Sequence, residues 1–428
     1  MNITILTVGS RGDVQPYLAL GVGLKQAGYT VKLTTHETFK DLILSYGLDF
    51  FPIGGNVKEI TQGETGQATI ESGNNPFKML TLLSQALEPI MAESLDNSWQ
   101  ACQDADLVIS SGTAFWGDDI AAYLGIPSIF GLLQPVVLTS QIPSPMAPPG
   151  WQLGPLFNWL SHQVISRLYW KLFKPPINQW RQARLGEAPR TTCPFLDDRW
   201  RTQPKILGYS PSVIPPPTDW TDNCHVTGYW FLDAPTNFAP PKALLDFLAD
   251  GEPPISIGFG SMASRHAEEI TEIALSSLKK TEQRGMLLTG WSGVSNADLP
   301  DHVFKLESIP HDWLFPKMKA IVHHGGAGTT SATVRSGTPG VVVPFFADQP
   351  FWADRMAQLG VSPRPVPKQR LSVDRLAEAI RQAIADSALR QRAAQLGATV
   401  RAEDGIAKAV QVVNTTLAEG DRNKTSSR

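Results

Sequence analysis

The 428 residues hold 37 Lys plus Arg against 40 Asp plus Glu, a formal charge of −3, with 42% hydrophobic and 18% charged residues. That is the composition of a globular protein with a sizeable core, of two or about three domains, and the absence of Lys/Arg blocks argues against nucleic acid as a partner. Cys102, Cys193 and Cys224 stand far apart and without Cys-x-x-Cys spacing, so neither a disulfide framework nor a structural zinc site is expected.

In chain order, Met1–Ser10 lacks the basic n-region of a signal peptide and reads as the first strand of a cytosolic protein. Residues 3–8 are β-rich, 9–13 a Gly-containing turn, 14–27 a helix ending at Gly28, and 29–35 a strand again: a βαβ unit. Residues 54–76 are polar and Gly/Asn-rich and read as a mobile surface loop. Strand-like runs at 107–110, 128–130, 320–323 and 341–344 alternate with helical patterns, the order of doubly wound parallel sheets. The longest apolar stretch, 123–138, is broken by Pro127, Gln134 and Pro135 and falls short of the ~20 residues of a spanning helix. A second βαβ unit follows at 254–259, 260–264, 268–282 and 286–289. Between the two, prolines at 211, 215–217, 235, 240 and 241 make an extended connection, which puts a boundary near residue 220.

Seven of the 12 tryptophans fall at 151, 159, 170, 180, 200, 220 and 230. Within this region, 156–181 interleaves aromatic and aliphatic residues with Arg167, Lys171, Lys174 and Arg181. On a helix that pattern suits a membrane interface or a large apolar ligand, and equally an aromatic face packed into the core.

The strongest chemical signal is the strand 320–323 running into His323-His324-Gly325-Gly326-Ala327-Gly328-Thr329-Thr330 and a helix. Glycines let a ligand approach the backbone, and the first amides and the dipole of a helix favour an anion. His324, Thr329 and Thr330 add donors. The loop Gly258-Phe259-Gly260-Ser261 ends another strand of the same half and can face the same anion.

Gly-Ser-Arg-Gly-Asp-Val-Gln-Pro (9–16), Gly-Phe-Gly-Ser-Met (258–262), Ile-Pro-His-Asp-Trp-Leu-Phe-Pro (309–316), the His-His-Gly-Gly-Ala-Gly-Thr-Thr run and Val-Pro-Phe-Phe-Ala-Asp-Gln-Pro-Phe-Trp (343–352) together resemble the sterol glucosyltransferase branch of the UDP-sugar-dependent glycosyltransferases. The resemblance covers nearly the whole chain in matching order. It implies the α/β GT-B fold, two facing Rossmann-like domains with a cleft between them: 1–220 for the acceptor, 221–400 for the nucleotide sugar, a helix 401–419 packing back on the first, and a disordered tail 420–428.

The resemblance further implies that Ser10, Gly12, Ser261, His324, Gly325, Gly326, Ala327, Gly328, Thr329 and Thr330 hold the UDP diphosphate, that the backbone of Ile309 faces uracil, and that Asp348 and Gln349 take sugar hydroxyls. Asp348 can alternatively cap the helix after it. Asp13 stands where the plant branch has a catalytic histidine and is the expected general base of a single inverting displacement; the residue-level alternative is a helix cap. Trp116, Gln134, Trp159 and Trp170 are the acceptor-binding candidates. The acidic ribose ligand of the plant pattern is replaced by Ala332, the aspartate that orients the plant histidine falls near Ser111, and the uracil-stacking Trp is missing at Ser308–His311. Asp104-Ala105-Asp106 precedes a strand rather than following one, which favours a surface turn over a metal site; neither a metal nor a cofactor beyond the sugar donor is expected. A peripheral membrane contact through 156–181 is the remaining partner expectation. Two rival readings are an NAD-dependent enzyme, from Gly258-x-Gly260-x-x-Ala263, and a lipid carrier. The first lacks the ribose-binding acid expected ~20 residues on.

Overall fold

The computed structural model describes residues 1–55, 90–151, 153–235, 238–259, 267–288 and 299–426. They divide into two compact units, one of residues 1–232 with 403–426 and one of 233–402.

The first unit is built on a seven-stranded parallel sheet of β1 (Asn2–Leu6), β2 (Thr30–Thr35), β3 (Asp49–Pro52), β4 (Leu107–Ser111), β5 (Ser128–Leu132), β6 (Lys205–Leu207) and β7 (Cys224–Val226), in the order β3-β2-β1-β4-β5-β6-β7. The inner strands β4 and β5 are buried at every residue, as parallel strands covered on both faces must be. Helix α1 (Arg11–Gln26) follows β1, α2 (Gly117–Leu124) precedes β5, and α3 (Pro155–Trp180) leads into a π-helical turn, Arg181–Leu185, that stops at left-handed Gly186. Strand order reverses between β1 and β4.

The second unit repeats the plan with β8 (Ile255–Gly258), β9 (Gly285–Leu288), β10 (Val303–Leu306), β11 (Ala320–His323) and β12 (Gly340–Val342), ordered β10-β9-β8-β11-β12. Side chains alternate across a strand, and the core follows: Ile255, Ile257, Leu287 and Val322 pack with Leu278 and Ile380 on one face, while Met286 and Ile321 meet Leu244, Leu314 and Phe315 on the other. Helix α4 (Ala267–Thr281) joins β8 to β9, α5 (Ala327–Ser336) follows β11 and α6 (Gln349–Gln358) follows β12. Here the order reverses between β8 and β11.

Two expectations differ from the structure. The boundary lies at 232/233 rather than 220, because β7 completes the first sheet beside β6. The helix expected over 401–419 is α7 (Gly405–Ser426), so the tail expected to be disordered from Gly420 is helical backbone as far as Ser426. It lies on α1, where a Cβ on Gly23 would fall 2.1 Å from Ile406 Cγ2 and Tyr29 Oη donates to Asn414 Oδ1 at 2.6 Å. The supposed loop 54–76 beyond Gly55, the turn 260–264 and Thr289 lie outside the described residues.

Candidate active site

Ligands of open parallel sheets lie beyond the carboxyl ends of the strands, at the point where strand order reverses. In the first unit that point is the loop after β1. Ser10 is the N-cap of α1, and Asp13 sits three positions on, in the first turn. Both the backbone N–H and the hydroxyl of Ser10 donate to Asp13 Oδ2, at 2.8 and 2.9 Å. The residue-level alternative for Asp13 is therefore real: it caps its own helix. Gly9 makes the turn possible, with φ +144° and a virtual Cβ 2.4 Å from Asp13 Oδ2. Neighbouring strands hold the loop from both sides. His36 after β2 accepts from Gly9 N–H at Nε2 (3.2 Å), and Thr113 after β4 donates to the Val8 carbonyl (2.7 Å). Ser111, where the plant aspartate would fall, bonds to Thr113 Oγ1 at 2.9 Å. Neither His36 nor Thr113 was legible as part of this site, because only sheet order makes them neighbours of Asp13.

The reversal in the second unit falls at the turn after β11. Gly325 has φ +88°, and a Cβ there would meet Val342 Cγ1 at 2.8 Å and the Gln349 carbonyl at 3.1 Å, so only glycine fits. Gly326 is the N-cap of α5, leaving the amides of Ala327, Gly328 and Thr329 in the first helical turn without intrahelical acceptors. His324 folds over this turn, since a Cβ on Gly326 would fall 2.5 Å from its Nε2. Its neighbour His323 was missed: fully buried, it accepts from Gly325 N–H through Nδ1 at 3.1 Å and fixes the turn from beneath. Thr330 is 1% exposed, so its hydroxyl faces the interior and Thr329 is the threonine at the surface. Ser261 lies outside the described residues.

The loop after β12 adjoins that turn. Ala347 takes the left-handed φ of +56°, a conformation that costs a non-glycine residue of order 1 kcal/mol or more, and Asp348 follows it. Asp348 makes no side-chain cap for α6; Oδ2 accepts from Trp352 Nε1 at 2.9 Å. Gln349 departs from expectation: it is buried, and Oε1 is occupied by the N–H groups of Phe345 (2.8 Å) and Phe346 (3.3 Å). Ile309 is buried in the core with Leu314 and Phe315, which restricts any ligand contact to its backbone.

The acceptor candidates separate. Trp116 is a core residue, 1% exposed with Nε1 on Ser98 Oγ at 3.0 Å, and Trp170 is 4% exposed against Phe115. Gln134 lies in the loop beyond β5, and Trp159 is 41% exposed on α3. Asp104 pairs with Lys32 at 2.6 Å and Asp106 accepts from Asn2 N–H at 2.7 Å, both at the amino end of the sheet. Among the described residues no group of three His, Cys, Asp or Glu side chains is placed to hold a metal ion, and no helix is long and apolar enough to cross a membrane.

Residues 3–127 match the glycosyltransferase family 28 N-terminal domain, and residues 288–415 the erythromycin biosynthesis protein CIII-like C-terminal domain. The chain is 35% identical over 438 residues to a sterol 3-beta-glucosyltransferase of Arabidopsis thaliana, covering 99% of this chain and 67% of that one. The chain belongs to the sterol 3-beta-glucosyltransferase family. A fungal member, from Neosartorya fischeri, is 35% identical over 425 residues, 96% of this chain but 29% of its own length; the chain spans under a third of such fungal relatives. The calicheamicin glycosyltransferase CalG4 superposes with a TM-score of 0.69 at 19% identity, over 97% of this chain and 98% of that one, so the two Rossmann-like units are those of the GT-B fold.

This family member keeps its paired histidines uncharged. Burial, reinforced by neighbouring histidines, lowers His323 to about 3 and His324 to about 4. Both values lie below the ~6.5 of an unfolded histidine, so the unfolded chain binds more protons between those limits and stability is lost as pH falls through them. The melting temperature is expected to fall progressively from pH 6.5 towards pH 4. His323→Asn, which keeps an acceptor for Gly325, should show a shallower fall in a pH series of thermal melts; an unchanged slope would remove His323 as a source.

Proposed function

We propose that the chain moves a hexose, glucose in the first instance, from a UDP-sugar to the hydroxyl of a lipophilic acceptor such as a sterol, by one inverting displacement, without a metal and without a further cofactor. The observation that carries this reading is the position of the Asp13 loop and the His324–Thr329 turn, each at its own unit's strand-order reversal. Asp13 takes the proton of the acceptor hydroxyl as its oxygen bonds to the anomeric carbon. The bond from that carbon to the diphosphate oxygen breaks with inversion, and the charge left on UDP is met by the first amides of α5, its dipole and a hydrogen bond from neutral His324. Asp348 and Gln349, at the start of α6, are the residues set to meet sugar hydroxyls.

Thermal unfolding in EDTA with UDP, UDP-glucose, dTDP or NAD tests this directly. Stabilisation follows RT ln(1 + [L]/Kd), about 2.7 kcal/mol at a hundredfold excess over Kd. A rise with UDP or UDP-glucose and none with NAD is expected. A rise with NAD alone would overturn the reading, and no shift with any nucleotide would favour the lipid carrier.

A lipid surface fits the same acceptor class. Among the described residues, six of the ten exposed large hydrophobic side chains are Trp151, Leu153, Leu156, Trp159, Leu160 and Val164. Leu156, Leu160 and Val164 continue along one face of α3 into Arg167 and Lys171, and no acidic residue occurs between Asp119 and Glu187. An apolar stripe beside basic residues suits the interface of an anionic bilayer. The contact proposed is thus the amino-terminal half of α3; Trp170 and Trp180 are buried. Replacing Leu156, Trp159 and Leu160 together by Ser is expected to reduce co-sedimentation with phosphatidylcholine–phosphatidylglycerol vesicles severalfold without lowering the melting temperature. Equal sedimentation of variant and wild type would sink the idea.

A further inference from the structure

We propose that His36 is a positioning residue that holds the Asp13 carboxylate in place through Gly9; the inference rests on the reading of Asp13 as the base. His36 directly follows β2 and is 1% exposed. Both ring nitrogens are used. Nδ1 lies 3.0 Å from the Gly54 carbonyl and 3.2 Å from that of Gly55, and Nε2 lies 3.2 Å from Gly9 N. A carbonyl can only accept and an amide only donate, so the ring carries its proton on Nδ1 and offers a lone pair at Nε2. Burial lowers its pKa and favours this uncharged form. One imidazole thereby ties the loops that follow β1, β2 and β3.

The tie bears on Asp13 because no slack separates it from Gly9. The virtual Cβ of Gly9 lies 2.4 Å from Asp13 Oδ2 and 2.7 Å from Asp13 Cβ, so the carboxylate rests against the Gly9 backbone. Oδ2 is also gripped by the next residue, Ser10. A shift of Gly9 therefore carries the carboxylate with it. Catalytic groups are sensitive to such shifts: a displacement of about 1 Å can cost on the order of 10²-fold in rate. Thr113, pulling on the Val8 carbonyl from the opposite side, leaves the Gly9 amide as the point that His36 alone constrains among the described residues.

The test compares His36→Leu, His36→Asn and His36→Gln in the full chain. Gln places its carbonyl oxygen about where Nε2 stands and can accept from Gly9, whereas Asn reaches only the position of Nδ1. For transfer from UDP-glucose to a 3-hydroxysterol, Leu and Asn are expected to lower kcat about 10- to 100-fold with KM for UDP-glucose within twofold of wild type, and Gln to recover most of the loss. Hydrogen exchange followed by mass spectrometry on the peptide spanning 7–17 should be faster by about tenfold in Leu and Asn and near wild type in Gln. That readout needs no turnover, so it separates failure of the tie from failure of the transferase reading, which wild-type transfer and its loss in Asp13→Asn test independently. Unchanged exchange in His36→Leu would overturn the proposal, as would faster exchange with wild-type kcat. A parallel loss in Gln, Asn and Leu would also overturn it, by showing that the ring serves only as packing.

Discussion

Asp13→Asn is expected to lower kcat by about 10²- to 10⁴-fold, the range lost when a positioned general base is removed, while leaving the melting temperature and the stabilisation by UDP near those of wild type. The substitution separates the proposed base from the helix cap that Asp13 forms with Ser10. Asn retains a carbonyl oxygen that can accept from Ser10 N–H and Oγ–H, so the start of α1 stays capped, but it has no basic oxygen for an acceptor proton. Asp13→Ala removes both functions and should add about 1 kcal/mol of destabilisation. Turnover measured beside a melt therefore decides between base and cap: full activity in Asp13→Asn would reduce Asp13 to a cap.

The second large effect is one of stability. Asp119, in the first turn of α2, accepts from Arg181 Nη1 at 2.7 Å and Arg190 Nη1 at 2.8 Å, with side-chain exposures of only 10, 12 and 13%. Burial raises the Asp119 pKa even against these two cations, a sign of how little solvent screens the cluster. Removing one member of a buried ion cluster leaves charge uncompensated and costs about 3–5 kcal/mol. Asp119→Ala is expected to lose that amount in urea unfolding, with Asp119→Asn intermediate, since Glu187 and Asp197 each still pair with one arginine. A loss below about 1 kcal/mol would mean that those carboxylates, or water, replace Asp119. The cluster fastens the far end of α3 and residues 186–197 to α2, so its failure should also free the aromatic packing around Phe115, Tyr169 and Phe195.

What could be read from the sequence was whatever is encoded within about a dozen consecutive residues. The strand-turn-helix of 2–26 and the His-His-Gly-Gly turn carry their own alternation, glycines and helix start, and they led to the two sheets and the candidate site at once. Features that depend on remote partners were not legible. His36 matters because β2 lies beside β1; the grip of Arg181 and Arg190 on Asp119 spans 62 and 71 residues. That Trp170 packs on Phe115 was not legible, because periodicity cannot tell an aromatic that faces a ligand from one that faces the core. The resemblance set Gln349 against the sugar, but that two backbone amides of its own loop bond to its oxygen depends on the turn after β12 and had no sequence signal. The boundary moved because β7, three residues at the edge of the sheet, is too short to leave a pattern among the prolines around it.

The return of α7 to α1 has a bearing on biosynthesis. The first unit is discontinuous in sequence, closed only by residues 403–426, so on the ribosome it waits for the whole second unit to be translated before its last layer arrives. Until then the groove at Gly23, shaped to take Ile406 without any intervening side chain, stays open on the nascent chain. Premature termination anywhere between residue 232 and α7 therefore leaves the first unit without one covering layer although residues 1–232 are already made.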